Sequence, residues 1–328
     1  MRSPAWLPLE AVDGPAMRLV YLDEAAYRAA SFLDQRLLGI GYEQQVCGLA
    51  VVEAAAARLA PRSHYIFHTG HVGSTLLSRL IGAHEGLFSV REPALLRSLG
   101  APAGSALQLD AALALLGRTW RPNQRAVVKT TSFVSELADP ILAADPGSVA
   151  IFVFARPLVY LRGILAGPNS RVENRHLAPS RLQRLTRRLG EGELSPRPHS
   201  EGECVAMSWL CEMTALHQAA VSFEGRVLWV DFDTFLGNPA PGLQAMFRAL
   251  GASPSEGEVE ALVAGPLMRQ YSKAPEYAYD AELRRRVLQS ADTEHGAEIK
   301  RGMNWLKEIA MHHRLVEAVR ERVAPEGA

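Results

Sequence analysis

The stretch from Ser63 to Pro93 constrains this chain more than any other. Tyr65-Ile66-Phe67-His68 is a short β-prone run. Gly70 and Gly73 break it, and two hydroxyls follow at Ser74 and Thr75. Leu76, Leu77, Leu80 and Ile81 then recur at helical spacing. A glycine loop between a strand and a helix N-terminus aims backbone N–H groups and the positive end of a helix dipole at one spot, which suits a phosphate. The plainer alternative is a βα turn that uses glycine only for its positive φ.

From residue 63 onward strands and helices alternate. Phe88–Arg91, Arg125–Lys129, Ser148–Phe154 and Arg226–Phe232 read as further strands. Ser148–Phe154 is apolar almost throughout, as expected of a parallel strand buried on both faces. The order predicts an α/β fold: a doubly wound, mainly parallel sheet flanked by helices in three layers. Ligands of such sheets bind beyond the carboxyl ends of the strands. Those ends carry His68–Gly73, Arg91-Glu92, Lys129-Thr130, Ala155-Arg156 and Asp231–Asp233.

Residues 1–62 read as a lead-in packed on that core, with an edge strand near Met17–Leu22 and helices over Ala25–Leu38 and Tyr42–Leu59. Residues 63–328 form the main domain, with a basic insertion at about 167–205 and a helical C-terminal region. The insertion crowds Arg171, Arg175, Arg181, Arg184, Arg187 and Arg188 together. It is either a solvated helix with a loop or a basic lid over an anionic ligand.

Composition excludes some functions. Lys+Arg and Asp+Glu both number 35, so no global field draws the chain to nucleic acid or an anionic membrane. Three cysteines, widely spaced, lack metal-ligand spacing and suit a reducing compartment. The first residues have no apolar signal core, and no run reaches membrane-span length, so the chain is expected to be soluble and cytoplasmic. No G-x-S-x-G or G-x-G-x-x-G occurs, which argues against a serine hydrolase and dinucleotide redox chemistry. The glycine loop also lacks the G-K-[ST] lysine of nucleoside triphosphatases, because Ser74 follows Gly73.

H-T-G-H-V-G-S-T-L-L-S-R-L-I at 68–81 resembles the 5′-phosphosulfate loop of sulfotransferases, above all their bacterial and Golgi-type branch. R-E-P at 91–93, V-V-K-T-T at 127–131, V-F-A-R-P-L-V-Y-L-R at 153–162 and V-D-F-D-T-F-L-G-N-P at 230–239 are similar to later segments of that family, in the same order. The resemblance spans roughly 63–251 and implies a P-loop nucleoside-kinase-like fold. It further implies the donor PAPS (3′-phosphoadenosine 5′-phosphosulfate), no metal, and a small-molecule acceptor carrying a hydroxyl or amine. On this resemblance Gly70, His71, Val72, Gly73, Ser74, Thr75 and Leu76 hold the 5′-phosphosulfate, and Arg156 and Arg162 the 3′-phosphate.

Sulfuryl transfer needs a base for the acceptor proton and a cation for the developing charge. Glu92 is the expected base, with a plain ion pair to Arg91 or Arg97 as the alternative. Lys129 is the expected charge stabiliser, and His71 a second donor or even the base. Arg156 is otherwise a helix-start arginine paired to Asp145 or Asp231. His68 is expected to be a packed histidine, Arg79 structural, and Asp231 and Asp233 architectural. Ser132, Thr130, Tyr271 and Lys273 are further candidates for ligand contact.

The chain departs from the family at three points: His71-Val72 replaces a basic–small pair, Arg156 directly precedes Pro157, and no hydroxyl stands near Arg162-Gly163. A P-loop small-molecule kinase or phosphotransferase and a non-catalytic nucleotide-binding relative share the fold and remain the alternatives.

Overall fold

The computed structural model describes residues 3–12, 15–99, 107–190, 194–270, 272, 278 and 280–324. Strands β1 (Trp6–Val12), β2 (Ala16–Tyr21) and β3 (Gln44–Gly48) form an antiparallel sheet in the order β1-β2-β3. Strands β4 (Ser63–His68), β5 (Leu87–Arg91), β6 (Arg125–Lys129), β7 (Ala150–Phe154) and β8 (Val227–Asp231) form the central sheet. All its pairs are parallel, in the order β5-β6-β4-β7-β8. The strand carrying the glycine loop is therefore the middle one.

The helices are α1 (Glu24–Ala29), α2 (Leu49–Ala56), α3 (Ser74–Ile81), α4 (Ala94–Leu99), α5 (Leu109–Leu116), α6 (Ala138–Ala144) and α7 (Pro157–Ala166). They continue with α8 (Pro168–Leu189), α9 (Glu201–Ser222), α10 (Phe232–Gly237), α11 (Pro239–Ala249), α12 (Glu256–Ala264), α13 (Ala281–His312) and α14 (Arg314–Arg322).

Strand alternation divides the core in two, because successive side chains point to opposite faces. Ile66, Val127, Ile151 and Val153 join α3, α7, α9, α11 and α13 on one face. Tyr65, Phe67, Ala126, Val128, Ala150 and Phe152 join α2, α4, α5, α6 and the antiparallel sheet on the other. The central sheet is thus the middle of three layers, buried on both sides. Its five strands fall where the apolar runs of the sequence predict them.

The N-terminal reading needs correction. β1 was not expected at all. Residues 44–48, inside an expected helix, are β3, and only Leu49–Ala56 turns helical. The expected helix over 25–38 stops at Ala29, and a 3₁₀ turn follows at Gln35–Ile40. Pairing decides here: Val46 lies opposite Arg18 and Cys47 opposite Met17, a partnership that local alanine content cannot reveal.

The basic insertion is mostly helix α8, docked on α9. Arg181 Nε and Arg184 Nη2 both reach Glu212 Oε1 at 2.9 Å, and Glu212 is fully buried. Burial by itself raises the Glu212 pKa, but Arg184 and Arg181 outweigh it and hold the carboxyl below its ordinary 4.5. Arg188 donates to the Cys211 carbonyl at 2.8 Å and to Thr214 Oγ1 at 2.9 Å, while Arg171 and Arg175 face Glu201. Much of the charge run therefore fastens one helix to its neighbour. Among the described residues no helix is long and apolar enough to cross a membrane.

Candidate active site

The site forms where β4, β5 and β6 end. Register places Lys129 opposite Ile66 on one side and Arg91 on the other. After His68 the chain turns through Gly70 (φ 93°), His71 (φ 55°) and Gly73 (φ 66°), and α3 begins at Ser74. Gly73 is required by contact as well as by φ, since a Cβ there would lie 1.9 Å from the Phe232 ring.

No side chain caps α3, so its first N–H groups stay open toward the space above the loop. The Thr75 hydroxyl is buried there and has no hydrogen-bond partner. A cavity of about 270 Å³ opens over this spot. His71, Ser74, Thr75, Ser170, Phe232 and Arg284 are among the residues that line it. Backbone donors, an unpaired hydroxyl and a helix N-terminus together fit an anion such as a phosphate.

His71 and Glu92 (φ 48°) are the non-glycine residues with positive φ among the described ones. Such conformations cost about 1–3 kcal/mol each and concentrate at functional sites. Glu92 also donates its N–H to the Lys129 carbonyl at 2.7 Å. Its carboxylate forms an ion pair with the Lys129 ammonium, whose side chain is wholly buried while that of Glu92 is 12% exposed. Neither expected partner of Glu92 takes that role. Arg91 is buried and turns to the carbonyls of Ala30, Tyr27 and Arg28. Arg97 lies over the Phe133 ring at 4.9 Å.

His68 is buried beside this pair. Its Nδ1 accepts the Gly70 N–H at 3.1 Å, and its Nε2 is 2.9 Å from the Thr130 carbonyl and 3.2 Å from Lys129 Nζ. His71 lies across from α8, with Nδ1 3.4 Å from Ser170 Oγ and Nε2 3.6 Å from a Glu173 carboxylate oxygen.

The other sequence candidates divide. Gly73, Ser74 and Thr75 line the cavity, as do Val72 and Leu76, which are also buried in the core, whereas Gly70 borders a small adjoining pocket with His71 and Ser132. Arg156 and Arg162 do not come into the cavity. Arg156 Nε stands 2.9 Å from Asp231 Oδ2 and borders a separate groove against α14. Arg162 Nε donates to Asp292 Oδ1 at 2.7 Å, although its neighbour Gly163 lines the cavity. Arg79 donates to Ser272 and Ala29 carbonyls, a structural role. Thr130 Oγ1 donates to the Ile66 carbonyl, and the Ser132 side chain abuts Gly70. Tyr271 and Lys273 lie outside the described residues.

Sequence reasoning missed Phe232 and Arg284. Arg284 grips Asp233 with Nε at 2.9 Å and Nη2 at 3.1 Å, and its guanidinium lies 5.1 Å from the Phe232 ring centre. Asp233 is thus architectural, as expected, and so is Asp231, which accepts from the Asp233 N–H and pairs with Arg156. No local signal links Arg284 to a partner 51 residues away.

No family model and no curated protein matches the sequence. Among solved structures the chain is similar to a sulfotransferase domain from the curacin biosynthetic pathway, with 15% identity, 71% of this chain and 97% of that one covered, and a TM-score of 0.44. It is also similar to a mouse sulfotransferase complexed with PAP, at 12% identity, 82% and 93% coverage and a TM-score of 0.45. A retinol dehydratase in complex with androsterone and inactive cofactor PAP matches at 10% identity, 90% and 88% coverage and a TM-score of 0.37.

Proposed function

We propose that this chain transfers a sulfuryl group from PAPS to a hydroxyl or amine of a small-molecule acceptor. The observation that carries the reading is the uncapped start of α3 with its unpaired Thr75 hydroxyl, set one strand away from the buried Glu92–Lys129 pair. An anion site thereby adjoins a carboxylate and an ammonium, the two groups that in-line displacement needs.

The loop from Gly70 to Thr75 would hold the 5′-phosphosulfate through α3 N–H groups and the Ser74 and Thr75 hydroxyls. PAPS supplies an activated S–O bond to its 5′-phosphate. As the acceptor oxygen or nitrogen bonds to sulfur, that S–O bond breaks and its electron pair stays on the phosphate oxygen. Glu92 takes the acceptor proton. Lys129 Nζ stabilises the charge on the sulfuryl and leaving oxygens, and His71 adds a donor from the loop tip. In the free protein Lys129 is occupied by Glu92. An anion at the loop would draw the ammonium toward itself and leave the carboxylate for the acceptor proton.

Arg162 is the better candidate for the 3′-phosphate. It stands one residue from the cavity wall at Gly163, and its partner Asp292 lies on α13, which also contributes Arg284 and Leu288 to the cavity. Arg156 faces elsewhere. Calorimetric titration with PAP, the desulfonated nucleotide, tests the reading: binding without Mg²⁺ is expected. Binding of ATP–Mg²⁺ in its place would point to a phosphotransferase instead.

A further inference from the structure

His68 was expected to be a packed histidine, yet its ring stands between the glycine loop and the end of β6. It lines the cavity, while Glu92 and Lys129 do not. One nitrogen meets the loop at Gly70, and the other meets β6 at Thr130 and Lys129. We infer that His68 is a positioning residue, a neutral strut that sets the phosphate loop and the Lys129 ammonium at a fixed separation. This inference rests on the reading above for its functional meaning, not for its geometry.

The hydrogen bonds assign the tautomer. A backbone N–H can only donate, so the Gly70 N–H requires a bare Nδ1. The single ring proton then sits on Nε2, pointed at the Thr130 carbonyl at 2.9 Å. With its proton on Nε2 the ring offers the Lys129 ammonium, 3.2 Å away, no acceptor, so that contact is packing of the ammonium against the ring edge rather than a hydrogen bond, and a proton on Nδ1 would meet the Gly70 N–H. His68 is thereby unsuited to be the base, and suited to hold other groups still.

The consequence is mechanical. Gly70 starts the loop that would seat the donor, and its N–H is spent on His68 rather than on a phosphate. The ring edge also bounds the space open to Lys129 Nζ, which is buried completely. The ammonium can shift between Glu92 and an anion at the loop, but only along that edge. A loop displaced by even 1 Å would therefore misplace sulfur relative to Nζ, an error that lowers rates steeply.

Two substitutions separate the two nitrogens. In His68→Asn the amide oxygen takes the place of Nδ1 and keeps the Gly70 bond, while the reach to Thr130 and Lys129 is lost. In His68→Gln the amide reaches the Nε2 position and the Gly70 bond is lost. We expect His68→Asn to hold PAP with nearly wild-type affinity and lose about a hundredfold in turnover. We expect His68→Gln to lose about tenfold in PAP affinity and to recover turnover at saturating donor. Equal behaviour of the two, or wild-type kinetics in His68→Leu, would overturn the strut.

Nitrogen-detected NMR of the free protein supplies a readout that needs no ligand. It should show His68 neutral with its proton on Nε2, and Lys129→Met should shift both the His68 ring signals and the Gly70 amide. The opposite tautomer, or no shift at Gly70, removes the strut even if PAP binds. The expected NMR pattern with no PAP binding keeps the strut and removes the nucleotide reading.

Discussion

Glu212 in the middle of α9 and Glu92 at the end of β5 each face a buried cation, but their surroundings differ. Glu212 is fully buried, is held by two arginines and sits on a regular helix. Glu92 is partly open to solvent, pairs with one lysine and sits in a strained backbone conformation. The first arrangement has every reason to stay as it is, because moving either helix would strand a charge away from water. The second carries backbone strain and a carboxylate that water can reach. A buried ion pair alone says little about function; backbone strain at Glu92 and the proposed anion site beyond β4 distinguish the two.

The largest expected effect falls on the structural member. Glu212→Gln leaves Arg181 and Arg184 facing each other without a counter-charge, and should cost about 3–5 kcal/mol of stability. That corresponds to a fall of roughly 10 °C in melting temperature, readable by calorimetry. The wild type should also show an acid limb that the variant lacks. The folded-state pKa of Glu212 lies below 4.5, so its contribution is complete above that value and disappears as the pH falls through the folded pKa. A small change in melting temperature would mean that water reaches this interface and that the contrast with Glu92 is false.

Glu92→Gln should do the reverse. Transfer should fall by about 10²–10⁴-fold, the range for loss of a general base. Gln keeps an acceptor for Lys129 Nζ, and one buried cation rather than two loses its counter-charge, so stability should fall by less than in Glu212→Gln. PAP affinity should change little. If Glu92→Gln instead melts like Glu212→Gln and still turns over, then the Glu92–Lys129 pair is a fastening too.

The arginines on α7 sharpen the comparison at a smaller scale. Arg162→Ala is expected to weaken PAP binding by about tenfold and adenosine 5′-phosphate binding hardly at all, since only the former carries a 3′-phosphate. Arg156→Ala should leave both unchanged. Equal losses for the two nucleotides would remove Arg162 from the 3′-phosphate role.

What could be read in advance follows from the range of the forces involved. Apolar runs such as Ala150–Phe154 are buried on both faces, so each announces itself without reference to a partner. The glycine loop is equally local, because positive φ and helix initiation are properties of adjacent residues. Glu92 and Lys129 were legible as residues at strand ends, but their pairing depends on β5 lying beside β6, which no local pattern specifies. The arginines were least legible. Arg181 and Arg162 look alike in sequence, and only partners 31 and 130 residues away separate a helix fastening from a residue next to the cavity. β3 was lost for a related reason: its conformation is fixed by β2, against its own helical composition.

The smallest effect concerns the loop tip. His71 holds φ 55° without being glycine, which costs about 1–2 kcal/mol, while a glycine there gives up about 0.5–1 kcal/mol in chain entropy. His71→Gly should therefore leave the melting temperature within about 3 °C of wild type, or slightly above it. PAP affinity should nevertheless fall by up to about tenfold as the imidazole is lost. Strain retained without benefit to stability would then be tied to ligand binding. Unchanged affinity in His71→Gly would make His71 a turn residue, leaving α3, Ser74 and Thr75 to hold the anion alone.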